Sequence, residues 1–328
     1  MSATGLAEKI PLPAAADAGA DLDASGTVAD AGEAKTKAPS IDRTLAVDLL
    51  FTSMGAHETP PDCADANEAI HCLIDARYAK DDDARLLARK LFDLDGSVAG
   101  VDPEQNMDGG YRGILHLVPV LPTGASRVHL ARVVSSFEDY EKFFAALEAR
   151  GNAKVAYRWR AIALRFFRSV KARTPSAYAH GWTISYNVDG SLNGTDVSVR
   201  ETMFHELFHT NDGAHGTKDD LWSEHALGPA YDKIVHECGP RTACLAKYAP
   251  NDTKVKGGTY YAFQPGNDVR EYAAEMAIRY YKEQRGVLGL GPVIKPSFKC
   301  TGAINGASYK AVVDEFFGGI DLTPACTN

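Results

Sequence analysis

The chain has 328 residues, 45% of them hydrophobic and 24% charged, with a formal net charge of −8. That balance belongs to a globular protein of one large domain or two modest ones. The acidic sign argues against a nucleic-acid or anionic-membrane binder, and no apolar run reaches the ~18 residues of a membrane span.

Residues 1–40 are rich in Ala, Asp, Gly and Thr, without aromatic residues or periodicity. Such a segment buries too little apolar surface to offset its ordering entropy, so a disordered leader or linker is expected. From residue 41 the pattern turns helical. IDRTLAVDLLFTSM (41–54), ADANEAIHCLIDARYA (64–79) and DDARLLARKLFDL (82–94) repeat apolar residues at spacings of three and four. GILHLVPVL (113–121), broken by Pro119, reads as an edge strand, and RVHLARVV (127–134) as another strand. SFEDYEKFFAALEAR (136–150) predicts a helix capped by Ser136, and VAYRWRAIALRFFRSVKA (155–172) a long helix with one apolar stripe. WTISYNV (182–188) alternates like a strand. VSVRETMFHELFHTN (197–211) follows as a helix capped by Asp196 or Ser198. PAYDKIVHEC (229–238), with Pro229 in its first turn, DVREYAAEMAIRYYKEQ (268–284), with Asp268 as cap, and YKAVVDEFFG (309–318) complete the helices, with KPSFKCTGAING read as loop. No internal repeat is visible.

Six cysteines fall into three neighbouring pairs: Cys63/Cys72, Cys238/Cys244 and Cys300/Cys326. An even count in local pairs points to disulfides and an oxidising compartment, with neighbour pairing the simplest of fifteen connectivities. The start MSATGLAEKIPLPAAADAGADLD has neither the basic nor the apolar region of a signal peptide. The cysteines favour a secreted or periplasmic protein whose signal is absent from this sequence. A cytoplasmic protein is the other reading.

The chemistry concentrates in MFHELFHTNDGAHG (203–216), an HExxH motif. Residues four apart share a helix face, so His205 and His209 can offer both imidazoles to one Zn2+. Glu206 stands about 100° around the helix, within reach of a zinc-activated water as its general base. Met203, Phe204, Leu207 and Phe208 surround this polar face with apolar side chains. A catalytic zinc usually takes a third protein ligand. His215 has the spacing of the metzincin pattern H-E-x-x-H-x-x-G-x-x-H, although Asp212 stands where that pattern has glycine, and Gly213 comes one place late. The downstream methionine, Met276, lies in a helical run and not in the tight turn a metzincin needs. Glu271 competes. It shares a helix face with Glu275 among apolar neighbours, and buried carboxylates need partners such as a metal. Glu224, His225 and Asp219 are further candidates, while His236, His116 and His129 carry no motif support.

The E-x-x-A-E form of Glu271 to Glu275, downstream of HExxH, resembles the gluzincins, and most closely the catalytic domains of anthrax lethal factor and the bacterial Pro-Pro endopeptidases. The resemblance covers the 14-residue motif, the second helix and the strand–helix order. It implies an α+β, mostly helical fold. A zincin-like catalytic domain over 176–328, with a small sheet, an active-site helix and a second glutamate helix, would follow a helix-rich N-terminal region over 41–175. It also implies Glu271 as third ligand, Glu275 as the group orienting His205, and Tyr261 or Tyr260, in GGTYYAFQPGND, as a second electrophile at the oxyanion. The expected activity is that of a zinc metallopeptidase acting on a protein or peptide. The alternatives are a non-catalytic zinc-stabilised surface or secretion protein and a zinc amidase acting on a non-protein substrate such as the cell wall. The sequence gives no cleavage preference and no oligomeric state.

Overall fold

In a computed structural model, residues 40–51, 60–63, 68–109, 113–217, 220–255 and 258–326 are described. The expected leader at 1–40 lies almost entirely outside them, as does Asp219. The chain opens with helices α1 (Arg43–Phe51), α2 (Ala69–Arg77) and α3 (Asp82–Asp95). Asp81 caps α3, its side chain accepting from the Ala84 amide, and Gly96 ends the helix in the left-handed region. Strands β1 (Val98–Val101), β2 (Gln105–Asp108) and β3 (Ile114–Pro119) follow, then the long helix α4 (Arg127–Gly151). Strands β4 (Ala163–Ser169), β5 (Ala177–His180) and β6 (Thr183–Asn187) lead into α5 (Asp196–His215). Helices α6 (Trp222–Ala226), α7 (Gly228–Cys238), α8 (Thr242–Leu245), α9 (Val269–Val287) and α10 (Ala303–Phe316) complete a mostly helical α+β architecture.

The strands form one mixed sheet in the order β2-β3-β4-β6-β5, with β1 also on β4. β4 is its centre, running parallel to β1 and β6 and antiparallel to β3. This corrects the helix expected over 155–172. Five of the seven residues of β4 are buried, all but Arg165 and Arg168, because the strand is covered on both faces, so its apolar residues do not alternate. Phe166 enters the main core, whereas its neighbour Phe167 points the other way, to Leu115 and Leu117. The expected strand at 127–134 is also corrected. Leu130, Val133, Val134, Phe137 and Tyr140 are buried at helical spacing, and nothing breaks the helix before Gly151. Ser136 is therefore not a cap; it lies buried inside α4, donating to the Arg132 carbonyl. β3 is not an edge, since β2 covers its outer side. α10 begins at Ala303, inside the stretch read as loop.

All described residues belong to one compact unit, Pro39–Asn328. The sheet runs across position 175, so regions 41–175 and 176–328 share it, β4 from the first pairing with β6 from the second. α4 lies against α5, and α5 against α9. Phe204 of α5 stacks on Tyr281 of α9 at 4.3 Å and on Tyr157 at 5.1 Å. Asp139 of α4 accepts from Arg285 at 2.7 Å and from the Tyr281 hydroxyl, tying α4 to α9. Disulfides join Cys63 to Cys72, Cys238 to Cys244 and Cys300 to Cys326, as neighbour pairing predicts. No helix among the described residues is long and apolar enough to cross a membrane.

One close approach is set by a missing side chain. α1 lies directly on β1 at Gly100, where an added Cβ would sit 2.0 Å from the Leu49 carbonyl oxygen. That neighbour is backbone and cannot rotate away. Gly100→Ala is expected to cost about 1–3 kcal/mol, the range of core overpacking, read as a lower urea midpoint with unchanged slope. An unchanged midpoint would mean that α1 detaches at little cost.

Candidate metal centre

α5 starts at a reciprocal cap: Thr195 accepts from the Ser198 amide and Ser198 from the Thr195 amide, both at 3.1 Å. The cap is thus Thr195, one residue before the expected Asp196, with Ser198 as its partner. Met203, Phe204, Leu207 and Phe208 are fully buried, which fixes the rotation of the helix. Asn211 locks it further along, its side chain bonding both the amide and the carbonyl of Arg158, at 2.7 and 2.9 Å.

With α5 fixed in this way, His205 and His209 face α9. Their Nε2 atoms lie 3.0 Å apart, and Glu271 Oε2 is 3.0 Å from His205 Nε2. Glu271 Oε1 is 3.7 Å from His209 Nε2. One ligand atom from each of His205, His209 and Glu271 can be chosen so that all lie within 4.8 Å of one another, and the three can hold a metal ion. Two imidazole nitrogens and one carboxylate oxygen suit a borderline divalent cation. α9 places its carboxylate here because it runs antiparallel to α5: Lys282 meets Glu201 at 3.1 Å, Tyr281 stacks on Phe204, and Glu271 meets the histidines. Asp268 caps α9 as expected, accepting from the Arg270 amide at 2.9 Å.

The other candidates separate clearly. α5 continues through residues 212–215, so the turn that would bring His215 back is absent. Six residues along a helix rise about 9 Å and rotate about 240°, which carries His215 away from the face of His209. It bonds Glu315 at 2.7 Å and packs on Phe316 of α10. Asp212, at the glycine position of the metzincin pattern, is fully buried and accepts from the Ser223 amide and hydroxyl at 2.7 and 2.6 Å, fastening α6 to α5. His225 pairs with Asp220 at 3.1 Å, and Glu224 accepts from the Leu221 amide at 3.2 Å.

Tyr261 faces the centre. Its ring lies 5.8 Å from that of His205, and the charge of Glu271 acts on its hydroxyl. Asn267 donates to the Tyr261 carbonyl at 2.9 Å and holds the turn. Tyr260 instead carries the Lys254 ammonium over its ring at 5.3 Å. Glu275 Oε1 lies 3.9 Å from His205 Nδ1, on the side opposite Glu271 and beyond a direct hydrogen bond. Asn251 holds Glu275 by its carbonyl and its Oε2, at 2.7 and 3.1 Å. Nothing in the sequence pointed to Asn251, which sits in a loop 24 residues upstream.

The electrostatics follow from burial and close charges. Burial raises the Glu206 carboxyl above its usual range, with His205 and His209 pulling the other way. Burial likewise raises Glu275. For Glu271 burial is outweighed by the hydrogen bonds and charges of His205 and His209, which hold it well below the ordinary carboxylate range. Tyr261 is raised by burial and by the charges of Glu271 and Glu206, so its hydroxyl stays protonated. Burial would discharge His205, but Glu271, Glu206 and Glu275 prevail and push its pKa up to about 9.

A proton and a cation therefore compete for His205. Below pH 9 the proton must leave before a metal takes that nitrogen. Metal binding at pH 7 is expected to release protons, and affinity to rise with pH between 7 and 9. Calorimetry in buffers of different ionisation heat reads the release. A heat independent of buffer would contradict it.

No protein-family model, curated protein or solved structure matches this chain.

Proposed function

We propose that the chain is a zinc-dependent endopeptidase of gluzincin type. The observation that carries this reading is the meeting of His205, His209 and Glu271 with Glu206 buried next to them on α5. The donor set fits zinc, which when bound supplies Lewis acidity toward a peptide carbonyl. Glu206, its carboxyl raised by burial, takes a proton from the attacking water and returns it to the leaving amine. Tyr261 remains a hydrogen-bond donor and is placed to stabilise charge developing on the carbonyl oxygen. Glu275, held by Asn251, sets a negative charge behind His205, 3.9 Å from its Nδ1. β5 ends the sheet on one side and lies against α5, and among the described residues no strand pairs with its outer edge. An extended peptide can add there by strand pairing.

Glu206 also speaks against a purely structural metal site. Its carboxylate makes no hydrogen bond among the described residues, and burial of the residue disfavours its charge, a placement that a binding module has no need of. Three disulfides support an oxidising location, secreted or periplasmic.

The test is a diverse peptide mixture incubated with the zinc-loaded chain and read by mass spectrometry. Cleavage that stops on chelation and returns with zinc supports the reading. An intact mixture, with zinc shown to be bound, contradicts it for general peptides.

A further inference from the structure

A second site lies at the other end of α5. A cleft of about 520 Å³ opens where β4 leaves the sheet, beside the loop that enters α5. Its lining includes His129, Arg132, Arg168, Lys171, Arg173 and Asn193. His205 is ten residues into the helix from Thr195, about 15 Å along its axis, so the cleft is separate from the metal centre.

The cleft is unusually basic for so acidic a chain. Arg168 pairs with Asp189 at 2.5 Å, and Arg132 reaches Asp196 at 3.3 Å and the Asn193 carbonyl at 2.9 Å. Arg173 donates only to a backbone oxygen, that of Asp189, at 3.2 Å, and Lys171 has no partner among the described residues. Four cations therefore meet two carboxylates. His129 is held neutral by burial and by the charges of Arg132 and Arg168, against the pull of Asp189.

The cleft is also built. Lys171 holds φ at +58°, a left-handed conformation that costs a lysine about 1 kcal/mol or more and persists only where surrounding structure enforces it. That structure is the buried pair Ser169 and Asn187. Ser169 donates to the Thr174 carbonyl at 2.8 Å, and Asn187 donates to Ser169 Oγ and to the Pro175 carbonyl at 3.1 and 2.8 Å. Gly190 packs so tightly that an added Cβ would sit 2.6 Å from the Asn193 amide nitrogen. Asn193 is 1% exposed, and both of its side-chain bonds are made by Nδ2, to the carbonyls of Ser176 and Asn187 at 2.8 Å. Its Oδ1 is buried with no partner. What stays open to a ligand in the cleft is the surplus positive charge of Lys171 and Arg173, both exposed and neither paired with a carboxylate among the described residues.

We propose that this cleft binds a phosphate group, either the free anion or one borne on a peptide, with its oxygens on Lys171, Arg173, Arg168 and Arg132. The proposal does not rest on the peptidase reading.

The experiment is calorimetric titration of the full chain at low ionic strength and pH 7 with inorganic phosphate and with a phosphoserine peptide. The comparison protein carries Lys171→Glu and Arg173→Glu together. Both side chains are exposed, so the fold is kept, and circular dichroism checks this. Phosphate is expected to bind saturably, and at least tenfold more weakly in the double variant. A peptide that binds more tightly than free phosphate identifies a peptide-borne group; equal affinities identify the free anion. No saturable binding, or equal binding by wild type and variant, overturns the proposal. All arms can be repeated on the Glu206→Gln protein, so failure here is distinguishable from failure of the peptidase assignment.

Discussion

Glu206→Gln is expected to lower kcat for peptide cleavage by about 10²–10⁴-fold while zinc stays bound. Glutamine keeps the shape of the side chain and its hydrogen-bonding capacity, but it cannot accept a proton from water. The ligands His205, His209 and Glu271 are untouched. The Glu206 side chain has no hydrogen-bond partner among the described residues, and burial of the residue, 7% exposed, disfavours its charge. The amide is uncharged, so the variant is expected to melt no lower than wild type, as where stability has been traded for function. The informative result is the combination: activity lost, metal content unchanged, melting temperature equal or raised. Retained cleavage by a zinc-loaded Glu206→Gln protein would assign the general base elsewhere. Lost activity together with lost zinc would make Glu206 part of the metal-holding structure instead.

Glu271→Gln is expected to weaken zinc binding by more than about 100-fold, whereas His215→Ala leaves it unchanged. Removing an orienting partner behind a ligand already costs 10–100-fold, and Glu271 is in direct reach of both histidines. It is also the charge that keeps both imidazoles in place, as its own depressed pKa reflects. Zinc at about a thousand times its Kd stabilises a folded chain by about 4 kcal/mol, and that increment should vanish in the variant. Differential scanning calorimetry with and without zinc reads it directly. His215 is the contrasting control, engaged with Glu315 and Phe316 at the far end of α5. The opposite pattern, with His215 essential and Glu271 dispensable, would require the last turn of α5 to unwind and would overturn the ligand set proposed here.

Several features of this protein were legible in the sequence because they depend on short-range geometry. His205 and His209 share a face by helix periodicity alone, and so do Glu271 and Glu275. The cap at Asp268 and the apolar flanks of the HExxH helix are local as well, and the cysteine pairs lie at most 26 residues apart. The tertiary structure decided what local pattern leaves open. β4 became a strand because its neighbours β1, β3 and β6 supply hydrogen bonds on both edges, which no window around residues 163–169 contains. Glu271 reached the histidines across 66 residues of chain, through the antiparallel packing of α9 on α5. The choice of Glu271 over His215 turned on whether the helix stops at Asp212, and Asp212 is spent fastening α6 while the helix runs on. Tyr261 rather than Tyr260 faces the metal centre because the Asn267 bond and the turn at 261–263 set which of two adjacent side chains points inward. The residues of the motif were written locally; their third partner, and the groups that hold it, were fixed only by packing.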